Sequence, residues 1–199
     1  LASETTVADW RWILGGCLDG PFYGMKAFLP VLETQEEAHM AFTASTFARM
    51  TGLVAPAAYF VAKAGLLSFA ECLYHDLTER GSNIGVSCVL PGNTQTGIIQ
   101  AIRDQIDATD DDPGSWDDSA GFGEREAIKT MTDHFITHAA DPEVLAYDLV
   151  DAIHTGRFYV IPAPGRHFEY ITDRWARIVT GRNPSLGDRS PDTYLPRER

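Results

Sequence analysis

Trp10, Ile13, Leu14, Cys17 and Leu18 recur at helical spacing, and the pattern predicts a helix over about 6–32. Pro30 and the polar run 33–37 mark its end. Residues 39–45 form a short apolar run that stops at small polar side chains, the pattern of a buried strand. A loop with Gly52 and Pro56 follows. The strongest helix covers about 58–80, where Ala62, Leu66, Phe69, Ala70, Leu73 and Leu77 make one apolar stripe. Tyr59, Leu67 and Tyr74 lie off that stripe, so much of the first half of this helix is expected to be buried on two sides. Gly81 stands where a helix stop belongs. Residues 84–90 predict a second buried strand, ended by Pro91-Gly92. Residues 93–140 are polar and acidic. Asp141-Pro142 then opens a helix, with Asp as N-cap and Pro at the first helical position, and Gly156 closes it. Residues 158–161 predict a third strand and 167–180 a last amphipathic helix. Residues 181–199, rich in Pro, Gly and charge, read as a loose tail. Strands separated by helices indicate an α/β fold with a parallel sheet.

Composition narrows the class. At 199 residues, 44% hydrophobic and 22% charged, the chain is expected to form one globular domain with its own core. A formal charge of -12 argues against a nucleic-acid or anionic-membrane binder. No apolar run approaches the roughly 18 residues of a membrane span. Cys17, Cys72 and Cys88 are odd in number and lack zinc spacing, which fits a reducing, cytoplasmic setting. Cys72 and Cys88 read as small core residues. His134 and His138 share a helix face but lack a third ligand, and the aspartates of 104–118 lack the glycine and closing glutamate of a calcium loop, so no metal is expected. Ser45 is not in a GxSxG elbow, which argues against a serine hydrolase.

Chemistry concentrates in the middle of the chain. Tyr59 and Lys63 are four apart on the strongest helix and so share a face. An ammonium one turn from a phenol favours the phenolate and lowers a pKa that is about 10 in free peptides. A phenol so tuned exchanges a proton with an alcohol or carbonyl near neutral pH. Ser45 ends the strand before this helix, and residues 91–96 follow the strand after it. Both would stand at carboxyl ends of parallel strands, where ligands bind in open α/β sheets.

In these residues the chain resembles the short-chain dehydrogenase/reductase family. The matching string is Thr43-Ala44-Ser45, Gly52-Leu53, Tyr59-Phe60-Val61-Ala62-Lys63, Pro91-Gly92 and Thr96. Trp12-Ile13-Leu14-Gly15 and Phe28-Leu29-Pro30 look like the family's preceding helix, and Arg157-Phe158-Tyr159-Val160 resembles its last strand. The resemblance implies a Rossmann-like parallel sheet with flanking helices, the C-terminal part of a doubly wound three-layer fold, with 1–180 as its catalytic portion. It implies Tyr59 as general acid/base, Lys63 tuning it and binding the nicotinamide ribose, and Ser45 holding the substrate oxygen. Pro91, Gly92, Thr94 and Thr96 would line the nicotinamide. It implies NAD or NADP as cofactor, a small alcohol or carbonyl as substrate, and a homo-oligomer built on the Tyr59 helix and the helix before it. Trp116, Phe122 and Ile98 would lie near the substrate.

Two departures accompany the resemblance. No TGxxxGxG or GxGxxG string occurs; Gly121-Phe122-Gly123 is the nearest look-alike and reads as loop. The first mononucleotide-binding half, roughly 90 residues, is therefore expected to be missing, and with it the residue that would choose NAD from NADP. Cys17 stands where the family carries an asparagine that holds a relay water, and a thiol is a weak donor and acceptor. The expected function is hydride transfer between an alcohol and a carbonyl. The alternative is a catalytically inactive member of the family acting as a binding or oligomerisation module; an NAD-dependent epimerase or dehydratase is a third reading.

Overall fold

A computed structural model describes residues 2–51, 57–98, 100, 104, 133, 137, 139–161 and 167–184. Three strands, β1 (Ala38–Thr43), β2 (Ile84–Val89) and β3 (Tyr159–Val160), form one parallel sheet in the order β1-β2-β3. The helices are α1 (Val7–Leu14), α2 (Gly20–Leu32), α3 (Ala57–Glu79), α4 (Pro142–Thr155) and α5 (His167–Val179). The three-stranded parallel sheet with flanking helices is the α/β class that the pattern predicts.

Register decides which side chains meet which layer. Met40 stands opposite Val86 and Phe42 opposite Cys88. These residues point to the face covered by α2 and α3, where they join Met25, Leu66, Ala70, Leu73 and Leu77 in the main core. Side chains alternate along a strand, so Val89 and Val160 point the other way and pack under Ala152, Leu145 and Leu149 of α4. Helices on both faces of a parallel sheet make three layers. Val61 of α3 is exposed, so the helix is less enclosed along its first half than the pattern suggests.

Several boundaries differ from the pattern for identifiable reasons. The first helix is not uniform. Gly15–Asp19 forms a π-helical turn between α1 and α2, with the Gly20 N–H donating to the Gly15 carbonyl five residues back. α2 does end at Leu32, the expected place, running through Pro30; near a helix end the missing N–H removes one bond without halting the last turn. β1 stops at Thr43, because Ser45 caps a short 3-10 turn, Thr46–Arg49, in a stretch that reads as loop. Cys72 is exposed on the outer side of α3, against the expectation of a core residue, while Cys88 is fully buried. Gly81 and Gly156 do stop their helices, each with φ near +66 to +68°. Residues 185–199, His134, His138, Trp116, Phe122 and the Gly121–Gly123 look-alike lie outside the described residues.

A buried polar chain ties the strands. Ser87, fully buried, donates to the Arg157 carbonyl at 2.7 Å. Its oxygen is left to accept from His39 Nε2, 2.8 Å away. Gly85 makes room for this ring: a Cβ there would sit 2.3 Å from His39 Nδ1. Burial lowers the His39 pKa below its usual 6.5. Below that value the unfolded chain takes up a proton that the folded chain resists. The His39 contribution is therefore present above pH 6.5 and is lost as pH falls through the folded pKa. Unfolding free energies of wild type and His39→Gln, measured at about pH 7.5 and about pH 5, should converge toward the acid end. A gap that stays constant with pH would contradict this origin.

Candidate active site

The loops beyond β1 and β2 are stitched together at the carboxyl edge of the sheet. The Ala44 N–H donates to the Val89 carbonyl at 2.8 Å, and the Thr46 N–H to the Pro91 carbonyl at 2.8 Å. Thr46 Oγ1 donates to the Leu90 carbonyl at 3.3 Å. Ser45 sits between these ties, its Oγ accepting the Phe47 N–H at 3.1 Å. One lone pair is thereby used by the turn, and the hydroxyl proton is free to point elsewhere.

α3 crosses the sheet with its buried stripe inward and carries Tyr59 and Lys63 along its flank. Lys63 Nζ donates to the Thr43 carbonyl at 2.9 Å, clamping the helix to the end of β1. The same ammonium lies 5.6 Å from the centre of the Tyr59 ring. Phe47 meets Tyr59 edge to face, with centroids 6.2 Å apart and ring planes at 90°. The Ser45 hydroxyl is near enough to the Tyr59 phenol to favour its ionised form. The structure thus brings Ser45, Tyr59 and Lys63 together.

The electrostatics differ from the expected depression of the Tyr59 pKa. Burial raises this phenol above 10.0; the nearby Ser45 hydroxyl pulls it back, and Cys17 adds a smaller push upward. Burial also lowers Lys63 below 10.5, with Cys17 and Cys88 opposing. Lys63 is held toward the Thr43 carbonyl rather than the phenol oxygen, so desolvation wins at Tyr59. Cys17 lies in the π-helical turn that packs on α3, where Gly65 leaves room for Leu18: a Cβ at 65 would be 3.3 Å from Leu18 Cδ2. Burial pushes the Cys88 thiol up to about 11.

The segment after β2 is shaped by its own bonds. Thr94 Oγ1 donates to the Gly92 carbonyl at 3.3 Å, and residue 94 bridges Ala140 in parallel. The Gln95 N–H donates to the Ala140 carbonyl at 2.8 Å, and the Ala140 N–H to the Asn93 carbonyl at 3.0 Å. Pro91, Gly92 and Thr94 therefore follow β2 directly, on the same edge as Ser45. Thr96 and Ile98 are exposed beyond them. Gly52 and Leu53 lie outside the described residues. Phe47 is the neighbour that sequence reading missed; its place between Ser45 and Tyr59 depends on a short turn that no periodicity announces.

The sequence profile of the short chain dehydrogenase family matches residues 1–107, just over half of the chain. The chain belongs to this family. Its relatives include a C alpha-dehydrogenase of Sphingobium sp. (strain NBRC 103272 / SYK-6), 28% identical over 177 residues, covering 85% of this chain and 54% of that protein. A 1-deoxy-11-beta-hydroxypentalenate dehydrogenase of Streptomyces exfoliatus is 36% identical over 98 residues, 49% of this chain and 34% of that protein. Among solved structures, a short chain dehydrogenase/reductase of Burkholderia phymatum in complex with NAD superposes with a TM-score of 0.75 at 26% identity, over 92% of this chain and 63% of that one. The short-chain dehydrogenase fold is thus matched across nearly the whole chain, while the chain spans about half the length of the curated relatives it matches. Among the described residues no helix is long and apolar enough to cross a membrane.

Proposed function

We propose that this chain carries the catalytic group of a nicotinamide-dependent oxidoreductase that interconverts an alcohol and a carbonyl. The observation that carries the reading is the meeting of Ser45, Tyr59 and Lys63 at the carboxyl edge of a parallel sheet. Ser45 holds the substrate oxygen with the proton that its turn leaves free. Tyr59, kept protonated by burial, delivers its proton to a carbonyl oxygen as the alcohol forms, and recovers it in the reverse direction. As the phenolate develops, the Lys63 charge opposes the burial cost. A structure similar to this one holds NAD, and the residues here suit the nicotinamide-ribose end of NAD or NADP. Lys63 Nζ has three hydrogens and gives one to Thr43, leaving two for ribose hydroxyls. Pro91, Gly92, Thr94 and Thr96 line the neighbouring loop. When bound, such a cofactor supplies or accepts the hydride at the substrate carbon. Tyr59→Phe tests the assignment, with turnover as the readout; a non-catalytic module predicts none in either protein.

Self-association goes with this reading. Trp12, Tyr23, Phe28 and Val31 on α1 and α2 and Val61 on α3 are exposed, with Trp12 at 81%. Large apolar side chains left in water on neighbouring helices suit a partner surface. The protein is expected to be a dimer or larger by light scattering at about micromolar concentration. A monomeric mass would rule the assembly out.

A further inference from the structure

We propose that α5 braces the site from a distant part of the chain, with Tyr170 as a positioning residue that holds the Ser45 turn in place beside the helix carrying Tyr59. The inference rests on the oxidoreductase reading above. Three consecutive residues just beyond the turn are held from α5. Arg174 donates to the Arg49 carbonyl at 3.4 Å, and the Tyr170 hydroxyl donates to the Thr51 carbonyl, 119 residues away in sequence. Between them Met50, only 1% exposed, joins Ile171 of α5 in a buried cluster. The hold passes to Ser45 through the turn's own bonds. The Met50 N–H donates to the Phe47 carbonyl at 3.3 Å, and the Phe47 N–H to Ser45 Oγ at 3.1 Å. The Ala48 N–H donates to the Ser45 carbonyl at 2.9 Å. The same buried cluster takes in Phe60, the residue after Tyr59 on α3. One packing unit therefore joins the turn that carries one hydroxyl to the helix that carries the other. A single 3-10 turn has poor hydrogen-bond geometry and holds its shape weakly by itself. A reacting group moved by about 1 Å costs on the order of a hundredfold in rate, so an outside brace on this turn bears directly on turnover.

The test uses the protein as its gene encodes it and the variant Tyr170→Phe, which removes one hydroxyl and leaves the ring. Native-state amide exchange reads the brace without any substrate. The Phe47 and Met50 amides should exchange about three- to tenfold faster in Tyr170→Phe, the scale of one lost hydrogen bond. The Cys88 amide, bonded to the Phe158 carbonyl in the sheet, serves as reference and should not change. Unchanged Phe47 and Met50 rates, or acceleration shared equally by Cys88, overturn the brace. Turnover of cyclohexanol with NAD or NADP gives a second reading through a double-mutant cycle. Tyr170→Phe should lower kcat about three- to tenfold in the wild-type background and less than about twofold in Ser45→Ala, because its effect runs through Ser45. An equal loss in both backgrounds marks a general stability effect and overturns the positioning role. Where cyclohexanol is not turned over, the exchange rates alone decide. Turnover that survives Tyr59→Phe overturns the oxidoreductase reading, while the exchange rates still show whether Tyr170 holds the turn.

Discussion

Tyr59→Phe should lower kcat for alcohol–carbonyl interconversion by about a thousandfold, inside the roughly 10²–10⁴ range of a positioned acid/base group. The change removes one oxygen and leaves the ring. The edge-to-face contact with Phe47 survives, as does the packing of α3 on the sheet. Folding and oligomeric mass should therefore match wild type, and KM should move far less than kcat, because the phenol acts chiefly in the transition state. Steady-state kinetics beside a thermal melt separate the two effects. Equal kcat in the two proteins would remove Tyr59 from the chemistry.

Leu66→Ala is expected to give the largest loss of stability, about 3 kcal/mol, within the span measured for buried leucines. Leu66 is 1% exposed and belongs to the main core together with Met40 and Phe42 of β1 and Val86 of β2. Truncation leaves a cavity under the helix that carries Tyr59 and Lys63. The surrounding strands are tied by the ladder and by the His39–Ser87–Arg157 chain, so the site has little freedom to collapse. Urea unfolding should show a lower midpoint with an unchanged slope. A shift worth less than about 1 kcal/mol would mean that α3 is not seated as described.

Much of this architecture was legible from pattern. The apolar stripe of α3, the Asp141-Pro142 start of α4 and the glycine stops at 81 and 156 were readable because each rests on a local rule: helical period, capping, or a left-handed turn. Ser45, Tyr59 and Lys63 stood out for a related reason, since side-chain chemistry and a four-residue spacing are visible in a string. What could not be read is non-local. The π-helical turn at Gly15–Asp19, the 3-10 turn that turns Ser45 out of the strand, and the exposure of Cys72 follow from how elements pack, and neither period nor composition encodes them.

The pKa of Tyr59 marks the division most sharply. The i,i+4 spacing places an ammonium near the phenol, and spacing alone predicts a lowered value. The folded chain sends that ammonium to the Thr43 carbonyl and buries the phenol beside Ser45 and Phe47, so its pKa rises. The amino-acid sequence by itself determined the main elements and their parallel α/β arrangement and singled out the side chains proposed to carry the chemistry, because these depend on residue type and short-range period. Only the tertiary structure decided how far Tyr59 is desolvated, that Lys63 donates to the Thr43 carbonyl and that Phe47 packs against Tyr59, because burial and partner choice are set by residues distant in the chain.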